Sequence, residues 1–326
     1  MLAAVCTAVF LAPALSAAAE KPLVDMTFIP QWKPQAQFAG FYVAFEKGFY
    51  RKEGINLTIL TGDPRRPPAT LLGQEEVDVA TMWLSSAIEK RSKGLGFVNI
   101  AQLVQRSSLM FVAKKSRGIR EPKDMNGRKV GVWKGDFQIQ PEAFFRKQGL
   151  SVTVVPQGYT VNLFLRDGID VASAMWYNEY HTLLNSGMNP EELTTFFFSD
   201  QGLNFPEDGI YMLEKNFRKN PDLACAFARA SIEGWLYAFQ HKEEALRIVL
   251  TYMSAANVPA NAPHQRWMLA RMEDIILPKG LPQERLGILN RSDYEAVAGE
   301  MKAQGLIASV PDYEKFAVNC AGYAQK

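Results

Sequence analysis

The side chains with chemical reach in this sequence are aromatic rings and a few isolated polar groups, set in short segments that follow apolar, strand-like runs. Trp32, Phe38 and Tyr42 stand in the first such segment, Trp83 ends another, and Trp133, Trp176, Tyr177 and Tyr180 occupy two more. Flat rings gathered at strand ends favour stacking on a planar ligand, each stack adding roughly 0.5–1.5 kcal/mol beyond the area it buries. A Trp at a strand end also serves a core, so the expectation rests on their concentration and requires only that two or three line a cleft. Glu179 is the sharpest polar candidate. A carboxylate among Trp176, Tyr177 and Tyr180 suits an amino or ring N–H of a heterocycle, and it equally suits the start of a helix, where the macrodipole favours an acid. Gln37 shares the first loop. Asp63, before Pro64, reads as a ligand group or as a turn residue. Gly135 offers backbone N–H groups to a carbonyl, formyl or anionic substituent, or simply serves its turn. These twelve positions form the candidate binding site. The three histidines, His181, His241 and His264, lie far apart in the sequence, and neither CxxC nor HExxH occurs. No metal site and no cofactor are expected.

An internal repeat shows what must position these groups. Phe49-Tyr50-Arg51-Lys52-Glu53-Gly54-Ile55 is matched by Phe144-Phe145-Arg146-Lys147-Gln148-Gly149-Leu150, 95 positions later. Each copy reads as a helix end, a glycine that permits a left-handed backbone, and an alternating strand. A second pair follows in the same order: Val77-Asp78-Val79-Ala80 leading to Trp83, and Ile169-Asp170-Val171-Ala172 leading to Trp176. Two α/β lobes result, each a mostly parallel sheet covered by helices. The expected boundaries are residues 20–113 and 207–326 for lobe 1 and 114–206 for lobe 2. Gly118, Pro122 and Gly127 mark the exit from the hinge, and Gly209–Leu213 a strand rejoining lobe 1. The remainder is helical: Asn220 caps, Pro221 fills the first turn, and Leu223, Phe227, Trp235 and Phe239 form an apolar stripe. In open α/β sheets ligands sit beyond the carboxyl ends of the strands, where the candidate groups fall.

The segments Trp32…Gln37-Phe38-Ala39-Gly40-Phe41-Tyr42-Val43-Ala44…Lys47-Gly48-Phe49-Tyr50 and Tyr177-Asn178-Glu179-Tyr180, with Asp208-Gly209-Ile210, resemble the thiamine-pyrimidine-precursor family. These are substrate-binding proteins related to the fungal pyrimidine synthase and near the taurine, alkanesulfonate and nitrate binders. The resemblance spans nearly the whole chain. It implies a type II periplasmic-binding-protein fold hinged between two lobes, and a solute-binding role beside the permease and ATPase of an ABC importer. The implied ligand is a small aromatic heterocycle, a thiamine pyrimidine precursor or a flavin-like ring; an alkanesulfonate or nitrate is the alternative. The synthase branch uses a pyridoxal-phosphate lysine and a histidine at positions that fall on Met82 and Ser86. A further histidine is replaced by Phe38, and the cysteine-rich motif has no counterpart near Leu203–Asp208. Without an amine for a Schiff base, that chemistry lacks an attachment point, so no enzyme is expected.

Composition narrows the remaining classes. The chain has 326 residues, 48% apolar and 21% charged, with a formal net charge of +2. That suits a soluble two-lobed protein, expected as a monomer, and gives no polyanion-binding signature. Leu2–Ala19 lacks charge and ends in Ser16-Ala17-Ala18-Ala19, so residues 1–19 read as a cleavable secretory leader and the mature protein as periplasmic. No Lys or Arg precedes the run, and Val5 is bulky for the residue before a lipidated Cys6. Beyond the leader only Cys225 and Cys320 remain; two buried thiols are expected ahead of a disulfide.

Overall fold

The computed structural model describes residues 22–63 and 65–320; the leader expected over residues 1–19 lies outside them. The chain opens with β1 (Val24–Ile29), α1 (Ala39–Glu46), α2 (Phe49–Lys52), β2 (Ile55–Ile59), α3 (Pro68–Gly73), β3 (Val79–Trp83), α4 (Leu84–Ser92) and β4 (Phe97–Gln102). It continues through β5 (Leu109–Lys114), β6 (Lys129–Val132), α5 (Ile139–Gln148), β7 (Thr153–Pro156), α6 (Asn162–Leu165), β8 (Val171–Met175), α7 (Glu179–Asn185) and β9 (Leu193–Phe197). β10 (Asp208–Leu213) leads into the helices α8 (Glu214–Lys219), α9 (Pro221–Gln240), α10 (Lys242–Ala255), α11 (Ala262–Ile276), α12 (Arg291–Ala303) and α13 (Tyr313–Phe316).

The strands form two five-stranded sheets with the same internal plan, β2-β1-β3-β10-β4 and β7-β6-β8-β5-β9. In each, three parallel strands are followed by one antiparallel strand and an edge strand that pairs with it. Four strands per sheet therefore point the same way. β3, β8 and β10 are buried along their whole length, which explains why they read as mainly apolar runs rather than alternating ones. The repeat glycines behave alike: Gly54 (φ +84°) and Gly149 (φ +63°) both turn the chain in the left-handed region before β2 and β7.

The antiparallel strands differ from the expected boundaries in one respect. β5, placed by sequence at the end of lobe 1, pairs with β8 from Leu109↔Met175 to Ala113↔Val171 and belongs to the second sheet. The crossing accordingly lies before it, in residues 103–108. The Gly/Pro-rich stretch after Lys114 is a surface connection within the second lobe, built of short 3-10 turns. β10 returns to the first sheet between β3 and β4. The two crossing segments are fastened to each other. Ser107 N donates to Asn204 Oδ1 at 2.9 Å and Asn204 Nδ2 to Gln105 O at 3.0 Å. The buried Glu207 carboxylate accepts from Ser108 N at 2.5 Å and from the Ser107 and Ser108 hydroxyls.

The helices after β10 wrap the first lobe. Asn220 caps α9 by accepting from Leu223 N at 3.1 Å, and Phe227 and Trp235 are buried on its inner face. Cys225 and Cys320 form a disulfide with Cα atoms 4.9 Å apart. This corrects the expectation of two free thiols; composition alone does not reveal that α9 and the chain end are brought side by side.

Candidate functional site

A cavity of about 480 Å³ lies between the two sheets, at the carboxyl ends of their parallel strands. The first lobe contributes Gln31, Trp32, Gln35, Gln37 and Trp83; the second contributes Trp133, Lys134, Phe137, the turn Pro156–Tyr159, and Met175, Tyr177, Asn178 and Glu179. The loop after β1 is held by Gln31 N donating to Thr81 Oγ1 at 2.9 Å. It also depends on Gly62, where an added Cβ would stand 2.5 Å from Pro30 O and overlap Trp32 O.

Aromatic rings close the cavity from both sides. Trp83 of the first lobe meets Phe137 of the second edge to face, centroids 4.6 Å apart, and Trp133 lies 6.1 Å from the same Phe137. At the mouth, Trp32 meets the exposed Tyr159 at 5.2 Å. Trp133 is oriented by its Nε1–H, which donates to Gly158 O at 3.0 Å. Below the rings, the Ser86 hydroxyl of α4 hydrogen-bonds Asp136 of the second lobe.

The polar floor is acidic. Glu179 opens α7, is buried, and accepts from Met175 N at 3.0 Å and Asn178 Nδ2 at 2.8 Å. Burial pushes its pKa up to about 7 against those hydrogen bonds. Asp208 is buried beneath the first-lobe wall, bonded by Gln31 and by Gln37 Nε2 at 2.7 Å, with Gln35 Nε2 donating in turn to Gln37 Oε1 at 2.6 Å. Burial raises it likewise to about 7. Glu207, at the crossing, is raised to about 8, by burial and then by the neighbouring Asp208 charge. No cation contributes to any of the three. Tyr177, whose hydroxyl is held protonated by burial and by all three carboxylates, sits among them. Of the three only Glu179 lines the cavity, and a buried acceptor without a cationic partner favours a guest that brings N–H donors.

Of the twelve candidate positions, Trp32, Gln37, Trp83, Trp133, Tyr177 and Glu179 line this cavity. The structure places the other six elsewhere. Phe38, at the end of the short turn before α1, is fully buried in the first-lobe core, and Tyr42 on α1 stacks on Tyr252 with centroids 4.2 Å apart. Asp63 is a turn residue: Arg65 holds its carboxyl down to about 2 through side-chain and backbone hydrogen bonds. Gly135 adopts φ +72° to start its turn and leaves the wall to Lys134 and Phe137. Trp176 stands in the turn that follows β8, closed by Asn178 N donating to Met175 O at 3.0 Å, and packs outward on Phe197 while Tyr177 faces the cavity. Tyr180 lies about 100° around α7 from Glu179 and faces Trp267. Gln31, Gln35, Phe137, Gln157 and Asn178 were missed. Their loops are legible as strand ends, but residue type alone does not tell an amide or a Phe that faces a cleft from one that faces solvent or core. Gln157 carries a signal only the fold supplies: it bonds across β8, Nε2 to Ser173 O at 2.7 Å.

A family model described as NMT1/THI5 like matches residues 35–245, well over half of the sequence. The chain belongs to that family. It is 27% identical to the riboflavin-binding protein RibY of Chloroflexus aurantiacus, over 92% of this chain and 87% of that one. It is 24% identical to the formylaminopyrimidine-binding protein of Halalkalibacterium halodurans, over 75% of each. Among solved structures, the periplasmic aliphatic sulphonate binding protein SsuA of Escherichia coli superposes with a TM-score of 0.69 at 14% identity, covering 89% of this chain and 96% of that one. At that identity the likeness shows the fold, a periplasmic-binding-protein fold of two lobes.

Proposed function

We propose that this protein is the solute-binding component of an ABC importer, and that its solute is a flat aromatic heterocycle carrying N–H donors. The observation that carries this reading is the buried Glu179 carboxylate facing an interlobe cavity walled by Trp32, Trp83, Trp133 and Phe137. Rings supply stacking without demanding one ligand shape, while Glu179 and the amides of Gln31 and Gln35 supply directional selection. The printed names of the two relatives, a riboflavin binder and a formylaminopyrimidine binder, describe ligands of this kind.

Binding without chemistry fits the same wall. The position where the synthase resemblance puts a Schiff-base lysine is Met82, a buried thioether that cannot form an imine. An oxyanion ligand is the weaker reading: among the described residues no arginine lines the cavity, and its one lining cation, Lys134, is set against the buried Glu179 carboxyl and a wall of rings. Delivery to a permease places the protein outside the cytoplasmic membrane, and among the described residues no helix is long and apolar enough to cross it. Opening and closing occurs as a hinge motion at residues 103–108 and 198–207, with the solute enclosed between lobes.

Titration of the intrinsic tryptophan fluorescence with riboflavin, formylaminopyrimidine and an aliphatic sulfonate tests the proposal. Saturable quenching by at least one ring compound, and none by the sulfonate, is expected. Saturation by the sulfonate alone, or by nothing in the panel, would remove it.

A further inference from the structure

A second set of interlobe contacts lies behind the cavity wall, where α7 of the second lobe meets α11 of the first. His181 and His264 face each other with Nδ1 atoms 2.9 Å apart and rings stacked at 5.1 Å. His264 Nε2 lies 3.0 Å from Asn178 Oδ1, and the other end of that amide, Nδ2, donates to Glu179 Oε1 at 2.8 Å. His181 stacks on Trp267, centroids 4.7 Å apart, and Trp267 Nε1 donates to Trp176 O at 3.2 Å. Arg271 lies over both Trp176 and Trp267. His264, Trp267 and Arg271, on one face of α11, therefore touch residues 176–181 over successive turns.

The hydrogen bonds fix the tautomers. Asn178 Nδ2 is committed to a carboxylate, so its Oδ1 can only accept and His264 must carry its proton on Nε2. His264 Nδ1 is then the acceptor, which requires His181 to hold its proton on Nδ1. The Asn185 amide atom that stands 3.2 Å from that nitrogen is Nδ2; the assignment therefore requires this amide in its flipped orientation, with the oxygen toward His181. Charged groups nearby are engaged elsewhere: Arg266 with Glu243 at 2.8 Å and Arg271 with Asp274 at 2.9 Å. On α7 the only carboxylate is Glu179 itself, and Glu191 acts on Tyr180. Among the described residues no carboxylate bonds either imidazole. Burial lowers both rings, His264 to about 4 with the His181 charge adding to the effect.

We infer that His264 is a positioning residue for the recognition carboxylate: its Nε2–H orients Asn178, which aims its amide at Glu179, and the same contact, continued to His181, locks the lobes in their closed arrangement. The inference rests on the proposed function only in naming Glu179 as the ligand acceptor. Closure and carboxylate orientation are thereby one event, because breaking the His264–Asn178 bond releases α11 and frees the Glu179 side chain together.

The test is nitrogen-15 imidazole NMR of the full chain between pH 4 and 8, where only three histidines need assignment. The wild type is expected to show neutral His264 as the Nε2–H tautomer and neutral His181 as the Nδ1–H tautomer, with His264 uncharged down to about pH 5. Asn178→Ala should release the His264 tautomer, and His264→Ala should move the His181 midpoint up toward the ordinary value of about 6.5. Both rings titrating independently near that value in the wild type, or tautomers unchanged in Asn178→Ala, would overturn the inference. In parallel, binding of riboflavin and formylaminopyrimidine should weaken about tenfold in His264→Ala and stay within about twofold in His264→Gln, whose amide reproduces the Nε2–H donor. Equal losses in both variants would also overturn it. Should neither compound bind, the tautomer result decides alone and the failure belongs to the ligand reading.

Discussion

Replacing Glu207 with Gln isolates what it takes to hold a carboxyl at the junction of the two crossing segments. Glu207 is 1% exposed, accepts from Ser108 N at 2.5 Å and from two serine hydroxyls, and has no cationic partner. Burial raises its pKa from 4.5 to about 8. An acid that binds its proton more tightly in the folded state contributes its full stability below the unfolded value and loses it as pH rises through the folded one. At about 1.4 kcal/mol per pKa unit, the wild type should lose about 3 kcal/mol between roughly pH 5 and pH 8 through this residue alone. Glutamine keeps the acceptor that faces Ser108 N, places its amide where the Ser108 hydroxyl can accept, and does not ionise. Urea unfolding across that pH range, with the slope m followed as a control, should show the variant's decline flatter by about that amount. The residual slope belongs to Glu179 and Asp208, both raised to about 7. Parallel curves for the two proteins, or a variant less stable than wild type at about pH 8, would refute the assignment of an unpaired buried acid.

Glu179→Gln should weaken binding of an N–H-bearing ring by about 10–100-fold, the loss of a charged acceptor worth roughly 1.5–3 kcal/mol. Wild-type affinity should rise with pH until the carboxyl is ionised, near 7, and then level, whereas the glutamine variant stays flat; fluorescence titration reads both. Gly62→Ala drives a Cβ against the Pro30 and Trp32 carbonyls, so the Trp32 loop must move, and ring binding should fall with only a modest drop in melting temperature. Cys320→Ser opens a disulfide that spans 95 residues, which should lower unfolding stability by about 4 kcal/mol in non-reducing buffer; an unchanged midpoint would show that the bond does not form in solution.

Duplication was legible because backbone punctuation survives divergence. Gly54 and Gly149 still mark equivalent turns, and the buried runs ending at Trp83 and Met175 still occupy the same place in each sheet. The exchange of β5 and β10 between lobes was only half legible. Both strands are mainly apolar, and nothing in Leu109–Lys114 says which sheet will bury it. At the site, segment was readable but side-chain direction was not. Trp176 and Tyr177 are adjacent, yet one faces Phe197 and the other the cavity. Asp208 and the histidine pair were invisible for another reason. Asp208 gains its meaning from Gln31 and Gln37, and His181 from a helix 83 positions away, contacts that only the packing of the lobes creates.

The most direct test is a crystal structure of the protein with whichever ring compound of the panel quenches at lowest concentration. The account predicts a flat guest enclosed between the two sheets, its plane against Trp133 or Trp83 and a ring or amino nitrogen within hydrogen-bond distance of a Glu179 carboxylate oxygen. A guest held outside the interlobe cavity, or one inside it that leaves Glu179 bonded only to Met175 and Asn178, would contradict it.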